Sequence, residues 1–163
     1  MSLSIKELSY DNLDELKKLE SALKNWFANP KELNFTDSEM RYPFDMKKWI
    51  NVNYKLNKIQ TVMLSKDNWI IGYGGVKFIE KNNLAHIAQI FLDPDYRGNG
   101  YRGKIIDYIE NMSINNKLNA LTITVMKKDK TAQDLYRNMG FVEMEELGNK
   151  LTMIKKISLD TKS

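Results

Sequence analysis

Ile90-Phe91-Leu92-Asp93-Pro94-Asp95-Tyr96-Arg97-Gly98-Asn99-Gly100-Tyr101-Arg102-Gly103-Lys104-Ile105-Ile106 is the stretch that decides how this chain reads. An apolar run ends at Leu92, a proline turn follows, three glycines fall within six residues, and a helical pattern then begins. That is the order strand, glycine-rich loop, helix. Glycines let a backbone approach a ligand closely, and the first turn of a helix leaves N–H groups unpaired. Those donors, with the positive end of the helix dipole, suit a phosphate or pyrophosphate. Arg97 and Arg102 add positive charge at the same place. The stretch reads as the phosphate cradle of a nucleotide-like ligand.

Three signatures compete for these glycines. Gly98, Gly100 and Gly103 spell G-x-G-x-x-G, a dinucleotide-binding pattern, and Gly98 to Lys104 spells G-x-x-x-x-G-K, nearly a P-loop. The P-loop fails at Ile105, where a Ser or Thr should hold Mg²⁺. The dinucleotide fold fails on position, because its first glycine follows the strand almost directly and early in a larger domain. Here the segment Asp93 to Arg97, with its proline and arginine, separates Leu92 from Gly98. The third signature is Arg97-Gly98-Asn99-Gly100 preceded by Asp93-Pro94-Asp95-Tyr96. It resembles the acyl-CoA loop of the GNAT N-acetyltransferase family.

Bulk properties narrow the field further. With 163 residues, 42% hydrophobic and 28% charged, the chain suits one globular domain, expected over residues 1–157 with a frayed tail at 158–163. A net charge of +4, from 25 basic and 21 acidic residues, favours an anionic ligand without the basic stripe of a nucleic-acid binder. The chain has no cysteine, so no disulfide, thiol nucleophile or Cys-based metal site is available, and its one histidine excludes multi-His metal sites. No apolar run reaches the roughly 18 residues that span a bilayer, and no signal-peptide profile opens the chain. The expectation is a cytoplasmic protein with neither metal nor membrane partner.

Periodicity gives the remaining elements. A short strand at Leu3–Leu8 precedes a helix, capped by Ser9 or Asp11, that runs to about Asn25 with Leu13, Leu16, Leu19 and Leu23 at helical spacing. Ala28 to Phe44 shows no period and reads as an aromatic-rich loop, and Asp45 starts a second helix that fades near Asn57. Strands follow at Gln60–Leu64, Trp69–Phe78 and Leu84–Leu92, then a helix from about Gly100 to Lys117. Ala120–Val125 is a strand parallel to its predecessor, because a helix intervenes. Lys130–Met139 is a helix stopped by Gly140, and Phe141–Leu147 with Lys150–Ile157 forms a hairpin about Gly148-Asn149.

The order β-α-α-β-β-β-α-β-α-β-β is similar to that of the GNAT fold. A second local match lies at Ala132-Gln133-Asp134-Leu135-Tyr136-Arg137-Asn138-Met139-Gly140-Phe141, which resembles the family's C-terminal motif of Ala, Tyr and Gly-Phe at four-residue steps. The resemblance covers roughly residues 60 to 145. It implies an α+β fold with a mixed, mostly antiparallel sheet of about seven strands and four helices. It also implies acetyl-CoA as acyl donor and an amine of a small molecule, peptide or protein as acceptor. Ile90, Phe91 and Leu92 would bind pantetheine, and Arg97, Gly98, Asn99, Gly100, Tyr101, Arg102 and Gly103 the pyrophosphate. Many members form homodimers, which nothing in this sequence addresses.

The same resemblance assigns the general acid to Tyr136, whose phenol near pKa ~10 suits a thiolate whose conjugate acid is near ~8.5. The base has no such assignment. Two positions that carry Glu in many members read Ala88 and Thr124 here, and Asp129 stands where an Asn often contacts CoA. His86 lies two residues before Ala88 on the same strand face, about 6–7 Å away, and is the candidate base. Arg102 replaces the family's usual Gly or Ala, either clamping phosphate or facing solvent. The missing carboxylates leave a second function open, a non-catalytic acyl-CoA sensor module. Glu32, Asp37, Glu39 and Asp45, in the aromatic segment, are candidates to attract a cationic acceptor, or else a solvated acidic loop.

Overall fold

The computed structural model describes residues 2–37 and 40–157, without the side chain of Phe35. Glu39 and the tail 158–163 lie outside the described residues. The elements are β1 (Leu3–Glu7), α1 (Leu13–Trp26), α2 (Pro30–Thr36), α3 (Met46–Ile50), β2 (Gln60–Lys66), β3 (Trp69–Ile79), β4 (Leu84–Leu92), α4 (Tyr101–Asn115), β5 (Ala120–Met126), α5 (Lys130–Asn138), β6 (Val142–Leu147) and β7 (Lys150–Lys156). A π-helical stretch, Asn51–Leu56, prolongs α3. Seven strands pair in the order β1-β2-β3-β4-β5-β7-β6. The pairs β1–β2, β5–β7 and β6–β7 are antiparallel, while β4 and β5 run parallel, with α4 between them in the chain. This is the α+β fold expected. Among the described residues no helix is long and apolar enough to cross a membrane.

Two expectations need correction. The cap of α1 is Asn12, whose Oδ1 accepts from Glu15 N at 3.2 Å, not Ser9 or Asp11. The aperiodic segment after it is not all loop, because α2 occupies Pro30–Thr36 and brings the α-helices among the described residues to five. Its start follows the rules for helix ends. Asn29 caps it by accepting from Lys31 N at 3.0 Å, and Pro30 sits where the missing N–H costs nothing.

The described chain clusters into two compact units, Met1–Gly75 with Gln89–Ile105 and Val76–Ala88 with Ile106–Ser163. The first has an aromatic core in which Leu19, Leu23, Phe27 and Trp49 are fully buried, with Trp26, Tyr73 and Phe91 packed among them. Trp26 and Phe27 are therefore core residues, whereas Tyr42 is half exposed at 52%. The second unit buries Ile106, Ile109, Leu121, Phe141 and Met153, from α4, β5, β7 and the link between α5 and β6.

Candidate functional site

The glycine loop lies in the first unit and begins where β4 stops. Asp93 N donates to Ile71 O at 2.8 Å, the last tie to β3. Its side chain then caps the 3₁₀ turn Pro94–Tyr96, with Oδ1 accepting from Asp95 N at 2.9 Å. Its other oxygen, Oδ2, accepts from Trp26 Nε1 at 2.9 Å, so the end of α1 braces the turn. Gly98 and Gly100 have φ of +85° and +78°, which L side chains rarely adopt, and a Cβ at either would meet no atom within 4 Å. Glycine is needed there for the backbone angle, and the space above it is open.

Helix α4 starts one residue later without an acid in its first turn. Helix α1, by contrast, carries Asp14 and Glu15 at its start. A helix start without its own anion keeps its N–H groups and dipole for an external one. Left-handed glycines, open space and an acid-free helix start together fit a pyrophosphate.

The charge of Arg97 is already paired in this structure. Its Nε donates to Leu92 O at 3.0 Å, and Nη1 and Nη2 reach both carboxylate oxygens of Glu32 at 3.4 and 3.1 Å. The guanidinium also lies 5.2 Å from the Phe91 ring centroid. Arg97 ties α2 to the end of β4, and Glu32 answers its charge. Arg102 is half-buried, and among the described residues no ion pair or hydrogen bond holds its side chain.

The end of β4 is rigidly set. Phe91 packs against Trp26 and Phe27 at centroid distances of 4.8 and 5.3 Å. Behind it β3 passes so close that a Cβ on Gly72 would lie 2.8 Å from Phe91 O. Gly72 thus serves close packing, one of the uses of a glycine inside a strand.

Sequence reasoning missed a buried polar cluster in this unit. Asp37 Oδ2 accepts from Asn53 Nδ2 and Gln89 Nε2, each at 3.0 Å. Gln89 Nε2 also donates to Asn53 Oδ1 at 2.8 Å, and Tyr73 OH donates to Gln89 Oε1 at 3.3 Å. Burial, and after it the Asp37 charge, push the Tyr73 phenol well above its ordinary value. Of the acids expected to attract a cationic acceptor, Glu32 is paired, Asp37 is buried, and Asp45 caps α3 by accepting from Lys48 N at 3.2 Å. Each of the three has a structural task.

The second unit holds the residues expected to act on protons. His86 pairs across the parallel ladder with Thr122, and its Nδ1 lies 2.8 Å from Thr122 Oγ1. Burial, with a smaller contribution from Lys77, lowers its pKa from the ordinary 6.5, which favours the neutral imidazole. Tyr136 is buried on α5, 5% exposed, with its ring centroid 6.0 Å from that of Phe141. Asp129 caps α5, accepting from Ala132 N at 3.1 Å, which gives this residue a reason to be there apart from any ligand. Gln133 fixes the same helix to the end of β5, donating to Met126 O at 3.0 Å and Lys127 O at 2.8 Å.

The sequence profile of the acetyltransferase (GNAT) family matches residues 21–141. The chain belongs to this family. A stretch of 90 residues is 32% identical to an uncharacterised N-acetyltransferase of Methanocaldococcus jannaschii, covering 55% of this chain and 37% of that one. A stretch of 80 residues is 29% identical to thialysine N-epsilon-acetyltransferase of Bos taurus, covering 47% of each. The chain thus matches less than half the length of either relative. Among solved GNAT folds, the ribosomal-protein-S18-alanine N-acetyltransferase of Escherichia coli superposes with a TM-score of 0.70 at 15% identity, covering 97% of this chain and 96% of that one. The PaiA N-acetyltransferase of Thermoplasma acidophilum, in complex with coenzyme A, gives 0.68 at 21%, covering 96% and 100%. At these identities the likeness is one of fold.

Proposed function

We propose that this GNAT chain is an N-acetyltransferase that moves the acetyl group of acetyl-CoA onto a primary amine of a small molecule, peptide or protein by direct attack. The observation that carries this is the open loop at Gly98 and Gly100 leading into an acid-free helix start. In this reading the backbone of Ile90, Phe91 and Leu92 binds the pantetheine arm. The N–H groups of Gly98, Asn99, Gly100, Tyr101, Arg102 and Gly103 cradle the pyrophosphate while Arg97 braces the loop.

Acetyl-CoA supplies the acyl group as an activated thioester. A backbone N–H near Leu92 donates to the oxyanion that develops as the amine attacks. Tyr136 OH gives its proton to the departing sulfur. His86 takes the amine's proton through a water, which requires its Nδ1–H to donate to Thr122 Oγ1 and leave the Nε2 lone pair available. With neither Ala88 nor Thr124 offering a carboxylate, His86 is the base this reading has.

Thermal unfolding with acetyl-CoA, CoA, NAD and ATP-Mg²⁺ in parallel tests the assignment. A ligand at 100 times its Kd adds about 2.7 kcal/mol, which raises the Tm by several degrees. The expected result is a shift with acetyl-CoA and CoA alone, followed by acetyl transfer in an amine panel. A shift with NAD or ATP alone overturns the reading. Tight CoA binding with no transfer to any amine favours the sensor module instead.

A further inference from the structure

Arg97, the cation that the sequence places at the loop, is engaged by Glu32, yet a second cation reaches the loop from β2. Lys66 Nζ lies 5.6 Å from the ring centroid of Tyr96 and 6.0 Å from that of Tyr101. These two tyrosines bracket the loop, Tyr96 closing the turn before Arg97 and Tyr101 opening α4. The ammonium is therefore held beside the two side chains that flank the loop. Its backbone is anchored, because Lys66 pairs with Leu3 and the next residue, Asp67, is tied to Ser2 by two hydrogen bonds of 3.0 Å.

Charge distinguishes Lys66 from Arg97. Aromatic faces attract a cation without neutralising it, whereas a carboxylate cancels it. Lys66 forms no ion pair among the described residues, while Arg97 meets both oxygens of Glu32. The Asp67 carboxylate is turned to Ser2 N. A lysine head is a compact charge on a flexible stem, suited to reach a phosphate oxygen from the side while backbone donors hold the phosphate from below.

We propose, on the acetyl-CoA reading given above, that Lys66 binds a phosphate of the cosubstrate, with Tyr96 and Tyr101 as the rings that hold its ammonium at the loop. The chemistry is that of a phosphate monoester or a diphosphate next to the α4 start, which CoA offers as its 3′-phosphate and its pyrophosphate. Lys66 is then a determinant of affinity for phosphorylated over unphosphorylated pantetheine compounds.

Calorimetric titration of the wild type, Lys66→Met and Lys66→Arg with CoA, dephospho-CoA and pantetheine tests this. The expected result is a loss of about tenfold in CoA affinity for Lys66→Met. Lys66→Arg should stay near the wild type, and pantetheine should not distinguish the three proteins. An equal loss on CoA and dephospho-CoA identifies the pyrophosphate as the partner, and a loss on CoA alone identifies the 3′-phosphate. Wild-type affinity for CoA in Lys66→Met overturns the proposal, and so does an equal loss on pantetheine, which carries no phosphate. Should Lys66→Met fail to fold, Lys66→Gln takes its place in the same titrations. Failure of the wild type to bind CoA would instead remove the acetyl-CoA reading itself.

Discussion

Helices α1 and α4 begin in opposite ways, and the difference separates structure from function. At α1 the chain completes its own helix end, with Asn12 as cap and Asp14 and Glu15 against the dipole. At α4 it supplies two left-handed glycines, open space and no acid. A helix start with its own anions is finished. One without them is a site for something else.

The largest expected effect comes from making the α4 start unlike itself. Gly100→Val forces a β-branched residue to φ +78° and should weaken CoA binding on the order of 100-fold, about 2.8 kcal/mol, in a calorimetric titration. The smaller stability loss, about 1–2 kcal/mol from the left-handed angle, should leave the protein folded. Arg102→Glu gives α4 the acid that α1 has. CoA affinity should fall about tenfold. Stability in denaturant should rise by about 0.3–1 kcal/mol, because the new carboxylate faces the dipole. Opposite signs of affinity and stability would sharpen the comparison, and a joint loss would break it.

The converse change, Asn12→Ala, removes the cap of α1. It should cost about 1 kcal/mol and lower the Tm by about 2–4 °C, with CoA affinity unchanged. The smallest effect is one of pH and involves neither helix start. Burial, and then Lys77, lower the folded pKa of His86, so on acidification the unfolded chain takes up this proton first. The stability this neutral imidazole contributes is present in full above its unfolded pKa of about 6.5 and is lost as the pH falls through the lower folded value. Denaturant titrations of wild type and His86→Gln should therefore converge between pH 7.5 and 5.5. A constant difference would show that burial and Lys77 do not disfavour the charged ring.

The α4 region was legible in the sequence because its signals are local. Strand β4 spans Leu84–Leu92, the bounds expected from its sequence, and the glycines mark the turn where φ is positive. Helix α2 was not legible, since seven residues are too short to display a period and Asn29-Pro30 also spells a turn. The partners of Arg97 and Gln89 were out of reach for a different reason. Glu32 is 65 positions from Arg97, and Asp37 is 52 from Gln89, so only the folded chain brings them together. Composition placed positive charge at the loop, but it could not show that one cation was answered by α2 and another supplied by β2.

The loop's two braces also bear on how this protein can be altered and how it can diverge. Asp93 rests on Trp26 and Arg97 on Glu32, each a contact between segments distant in the chain. Residues 93–103 are thus not a portable cassette. Grafted alone into another scaffold, they would arrive with an aspartate and an arginine whose counterparts stayed behind. The unit that travels is the loop with positions 26 and 32, and substitutions at 32 and 97 should be tolerated in pairs more readily than singly.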